Sequence, residues 1–219
     1  TETMGKIKSS EIVAKATEKI PEEIRLNYTY GNVYLLDEMD VYITQLRSHA
    51  EKAGIMKREI KKRINLFPVY VQRYRNSLRT TMSDDLYEYI TDNVLDEMHD
   101  EFENSLKVLF YSTKRQVDKV ISNSNLSSAI ADLTMIYLIA SLERERDVWY
   151  CDKVNEMSDI PMFPIHDPHV AAIRQCTMCL LKALLPNDVS FMESKEMMDA
   201  FKIFKEEINT SKIEFIKVA

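Results

Sequence analysis

Two neighbouring stretches, KREIKKRINLFPVYVQRYRNSLR (57–79) and DDLYEYITDNVLDEMHDEFE (84–103), decide how this chain is read. The first holds eight cations (Lys57, Arg58, Lys61, Lys62, Arg63, Arg73, Arg75 and Arg79) against one acid, Glu59; the second holds nine acids and no Lys or Arg. Both have helical periodicity. Ile60, Ile64, Phe67, Val71, Tyr74 and Leu78 step by four, three, four, three and four, the spacing of a seam along one side of a helix. In the second stretch Leu86, Ile90, Val94, Met98, Phe102 and Leu106 step by four each time. Such a row drifts about 40° per step at roughly 100° per residue, so it winds around the helix and crosses several neighbours. Thr80 to Ser83 suits an antiparallel connection, which predicts a helical hairpin whose opposite charges neutralise each other side by side. Pro68 removes one backbone donor and predicts a kink or a break near Phe67.

The same signals extend to both ends. Ser9 or Ser10 can cap a short helix ending near Ile20, Pro21 opens a segment to Tyr30, and Gly31 with Asn32 reads as punctuation before a helix from Val33 to Ala53, closed by Gly54. The acidic helix extends to about Ile121. The next, Leu126 to about Met157, is nearly continuously apolar as far as Leu142 and then turns to Glu143, Arg144, Glu145, Arg146 and Asp147. That predicts a buried first half and a solvated second half. Three of the 6 prolines fall between Ser158 and Pro168, an irregular stretch, and two more helices follow, to Leu185 and from about Ser190 to Asn209. The expected fold is all-α: a single-domain helical bundle of about seven helices with a long central helical hairpin, any subdivision falling near 80–84.

Composition narrows the function classes. At 219 residues, 45% hydrophobic and 29% charged, the chain can bury a full core. Only 3 glycines are present, which disfavours folds built on glycine-rich phosphate loops or tight hairpins. A net charge of −6 and a pI of about 5.4 argue against a nucleic-acid or anionic-membrane binder acting through its whole surface. Three cysteines suit a reducing compartment, and neither a signal sequence nor a bilayer-spanning apolar run is read, the window Leu126 to Leu142 being too short. The expected location is the cytoplasm.

Four residue types that bind zinc occur close together as His166, His169, Cys176 and Cys179. On one helix from Pro168 onward, His169 and Cys176 stand about 10 Å apart along the axis, too far to converge on one ion, and Cys176 flanks an apolar face as a small core residue would. On the acidic helix Asp92, Asp96, His99 and Glu103 line one face, but a di-metal bundle needs a matching acid-x-x-His pair on a second helix, and none is present. The dyads His99-Asp100 and His166-Asp167 lack the remaining ordered residues of helical phosphohydrolases. No metal and no cofactor is expected, with Asp96, His99, His166 and His169 as the weak metal candidates.

Partner contact is expected instead at the basic helix, where Arg73 and Arg75 accompany Phe67, Tyr70 and Tyr74, and at the irregular stretch, where Met162, Phe163 and Ile165 offer apolar side chains. The sequence is read as a non-enzymatic interaction protein, structural, adaptor or regulatory, that binds a protein partner or itself. A metal-dependent hydrolase using His99, His166 and His169 is the first alternative. A nucleic-acid-associated protein using the basic helix is the second, disfavoured by the acidic neighbour and by the inward placing of Phe67 and Tyr74.

Overall fold

Local chemistry sets the helix ends in the computed structural model, which describes residues 20–157, 161–164, 166–185 and 190–209. Helix α1, Glu22–Lys52, starts after Pro21, whose carbonyl accepts from the amides of Ile24 and Arg25. It stops where Gly54 takes φ +69°, a left-handed value that costs glycine nothing. Helix α2 is Arg58–Thr81 and α3 is Asp84–Tyr89, the latter capped by Ser83 Oγ, which accepts from Leu86 N at 3.2 Å. A π turn, Ile90–Val94, leads into α4, Leu95–Asp118. Helices α5 (Ser124–Met157), α6 (Pro168–Leu184) and α7 (Lys195–Asn209) follow, with a 3₁₀ turn at Ser190–Glu193. Asp167 caps α6, accepting from His169 N at 2.8 Å, and Pro168 takes the first helical position. Among the described residues there are seven α-helices and no strand, so the all-α bundle is what the chain forms.

Three boundaries differ from expectation. Gly31 and Asn32 do not interrupt α1, which runs through them. Pro68 lies inside α2 without dividing it. The single acidic helix is parted by the π turn, whose wider i→i+5 loop turns less per residue and so takes back part of the drift built into the four-residue steps. The expected segment before Ile20 lies outside the described residues.

The long central pair is α1 with α5. Tyr28 bonds Asp147 near one end and His49 meets Asp132 toward the other, so the two run antiparallel. Helix α2 packs chiefly on α1 and α6, and α4 on α5 and α7. The basic and acidic segments are therefore not the paired hairpin. Energy explains the choice: seating Ile64, Phe67, Val71 and Tyr74 between α1 and α6 is worth roughly 1.5–3 kcal/mol for each fully buried large side chain, whereas exposed ion pairs give about 0–1 kcal/mol. One continuous apolar core links residues from all seven helices.

Helix α5 is long and apolar enough, at 34 residues with mean hydropathy 1.4 over its most apolar window, to cross a bilayer by length and composition. Here 72% of that window is buried against its neighbours. Nor does its second half emerge into water as expected: Glu143 and Arg146 are 1% and 0% exposed, and only Arg144, Glu145 and the outer face reach solvent.

Candidate functional site

Helix α2 turns its seam inward and its charge outward. Lys57, Arg58, Lys61, Lys62, Arg63, Arg73 and Arg79 are all exposed. The acids expected to answer them stand elsewhere: Asp84, Asp85, Glu88 and Asp92 are exposed on α3 and the π turn, and Glu103 pairs with Lys107 of its own helix at 3.1 Å. Among the described residues the ion pairs of α2 belong to Arg75, which donates to Asp37 Oδ1 at 2.9 Å and to Asp40, both on α1. Burial pushes the Asp37 carboxyl up, against the pull of that guanidinium. Arg79 lies over the Tyr87 ring at 4.6 Å. Lys57, Arg58, Lys61, Lys62, Arg63 and Arg73 remain as a cationic face that no acid among the described residues answers. Of the two arginines singled out as partner contacts, Arg73 is presented to solvent and Arg75 is engaged in holding α2 to α1.

The second candidate surface is divided in the same way. Met162 is half-buried and packs, like Ile24 and Tyr150, against the small cluster of Ile20 and Val154. Asn155 grips its backbone on both sides, donating Nδ2 to Met162 O at 2.8 Å and accepting from Met162 N at 2.6 Å. Phe163 is 78% exposed beside this anchor. Ile165 lies outside the described residues.

Between α1 and α5 lies a buried polar spine. Arg146, fully buried, donates to Asn27 O at 2.7 Å, Tyr28 O at 3.0 Å, Ile208 O at 3.1 Å and Asn32 Oδ1 at 3.4 Å, tying α1, α5 and α7 together. Its head occupies the space left by the missing side chain of Gly31. Tyr74 of α2 donates to Glu143, whose carboxyl is pushed well up by burial. Tyr28 donates to Asp147 Oδ1 at 2.6 Å and stacks on Tyr150 at 4.1 Å between centroids. Burial raises the Asp147 carboxyl too. The charged run 143–147 hides this spine from a reading by composition. Its helical phase exposes it: Ile139, Glu143, Arg146, Tyr150 and Val154 form one row, and Gly31-Asn32 inside a helix marks where something large must fit.

The histidines go to separate places. His166 Nδ1 faces Asp147 Oδ2 at 3.3 Å, and His169 Nδ1 meets Asp167 Oδ1 at 2.8 Å, so the adjacent pair His166-Asp167 is divided between two different contacts. His49 Nδ1 meets Asp132 Oδ2 at 2.5 Å; burial pushes the Asp132 carboxyl up to about 7, against the pull of His49. Cys176 is half-buried against the core and Cys179 is exposed on α6. Among the described residues no three His, Cys, Asp or Glu side chains gather as a metal site would require. The side chains of Asp96 and His99 lie outside the described residues. No family model matches the chain, and neither a curated protein nor a solved structure is significantly similar to it.

Proposed function

We propose that this chain is a non-enzymatic interaction protein that engages an acidic protein partner through the exposed cationic face at the start of α2. One observation carries the reading: five of these cations, Lys57, Arg58, Lys61, Lys62 and Arg63, fall within seven consecutive residues, from the N-cap of α2 into its first turns, with Glu59 as the one acid among them. Such a cluster steers an oppositely charged surface and sets its orientation, in a protein whose overall net charge is −6.

A nucleic acid is the second reading, favoured by the finding that the acidic segment does not pack along α2. Against it, Phe67 and Tyr74 are buried and Tyr70 half-buried, so the face offers no exposed aromatic for bases to stack on. Fluorescence anisotropy with a labelled poly-glutamate peptide and a labelled single-stranded oligonucleotide of equal charge tests both. The expected result is salt-sensitive binding of the peptide that vanishes in Lys61→Glu/Lys62→Glu/Arg63→Glu while the melting temperature holds. Tighter binding of the oligonucleotide moves the second reading ahead; binding of neither refutes the cationic face as a recognition surface.

A further inference from the structure

A shallow surface depression of about 270 Å³ lies where α5, α6 and the turn before α6 meet, lined by Ser141, Arg144, Glu145, Val148, His166 and Arg174. Arg174 is held in place from two sides. Its Nε donates to Ser141 Oγ at 3.0 Å and its guanidinium lies over the Tyr137 ring at 5.5 Å, which leaves Nη1 and Nη2 with no hydrogen bond among the described residues. His166 is held through Nδ1 by Asp147, itself fixed by Tyr28, and its Nε2 has no partner among the described residues. Arg144 is exposed one helical turn beyond Ser141 and makes no ion pair among the described residues. Glu145 is the single carboxylate in the lining, and Lys205 on α7 already answers it at 3.3 Å.

We propose that this depression binds a small phosphate-type oxyanion, inorganic phosphate or a phosphate monoester, between Arg144, Arg174 and His166. A guanidinium with both terminal nitrogens free matches two oxygens of one phosphate in a planar fork, and an imidazole held at Nδ1 presents its other nitrogen at a fixed angle. The orientation of Arg174 and His166 is set before any ligand arrives, which removes part of the ordering cost of binding. At about 270 Å³ the space lies just under the range of sites that enclose drug-sized ligands, so it suits a phosphate group with its substituent directed to solvent.

Isothermal titration of the purified chain with inorganic phosphate, phenyl phosphate and acetate tests the assignment. One saturable site for phosphate or phenyl phosphate is expected, with acetate at least about tenfold weaker because it carries one charge and two oxygens. Arg144→Gln and His166→Gln should each weaken binding by about tenfold or more, and Arg58→Gln, on the distant cationic face, should leave it unchanged. Arg144 is exposed and makes no hydrogen bond or ion pair among the described residues, so its variant should keep the fold; Arg174→Gln is read only beside a thermal melt showing that it is folded. The proposal is overturned by no saturable binding below about 10 mM, an affinity weaker than roughly −3 kcal/mol. Equal loss in Arg58→Gln, or acetate binding as tightly as phosphate, overturns it as well.

Discussion

Replacing Gly31 by alanine sets helix propensity against the packing of Arg146, and the two forecast opposite signs. In the interior of a helix Gly→Ala is worth about 1 kcal/mol of stabilisation. Position 31 sits well inside α1, so propensity alone forecasts a gain. An alanine Cβ at this position would stand 2.6 Å from Nε of Arg146 and closer still to Cζ and Nη2. The guanidinium cannot swing into solvent, because Arg146 is fully buried and held by carbonyls of Asn27, Tyr28 and Ile208. Hydrogen bonds from a charged group are worth roughly 1.5–3 kcal/mol each, and stripping a buried charge of its partners costs about 3–5 kcal/mol. Net of propensity, Gly31→Ala should therefore lose about 2–4 kcal/mol. For a chain of this size that lowers the melting temperature by roughly 5–15 °C. Urea denaturation followed by far-ultraviolet circular dichroism measures it. In an Arg146→Met background the obstruction is gone, so the same Gly31→Ala change should cost little or stabilise, a coupling that a double-mutant cycle reads directly. Gly31→Ala matching or exceeding the parent in stability, with no coupling to position 146, would refute the reasoning.

Further outcomes follow from the same geometry. The Asp132 carboxyl is raised in the folded chain above its usual value, so the folded state binds the extra proton; stability should fall as pH rises from about 4 to about 7, and Asp132→Asn should flatten that slope, parallel profiles counting against it. Charge reversal at Lys61, Lys62 and Arg63 together should leave the urea midpoint at low salt unchanged, because no acidic side chain among the described residues pairs with them, whereas a salt-dependent loss would restore the charge-seam hairpin. Asp167→Ala should destabilise by about 1 kcal/mol through loss of the α6 cap and Asp167→Ser should recover most of it, a result that thermal melts decide.

Part of the site was legible before the fold was known. Arg73 and the cations from Lys57 to Arg63 could be placed on a helical face from their positions beside the Ile64, Phe67, Val71 and Tyr74 seam. What that face looks toward could not, because long cationic side chains are compatible with an intramolecular acid, a partner or water, at free-energy differences of about 1 kcal/mol or less. In the sequence Met162 and Phe163 look like one apolar element, yet one is anchored by Asn155 and the other exposed, a division made by a contact seven residues away. The oxyanion depression was not legible at all. Ser141, Arg144, His166 and Arg174 come from three elements and have no spacing in common.

What the sequence determined by itself is local: the helical class, the α2 seam, the stop at Gly54 and the caps at Ser83 and Asp167, each set by backbone sterics, periodicity or a hydrogen bond within a few residues. The tertiary structure decided which helices pair and which charges are buried. Opposite charge suggested that the basic and acidic helices would lie together, but exposed charges trade water for each other at nearly no gain, so the deeper apolar seams assigned the neighbours. Arg146 could be buried only because Gly31, 115 positions away, leaves room for it and the carbonyls of α1 and α7 replace its water. Such a site exists only once distant segments have met, and no reading of one helix at a time contains it.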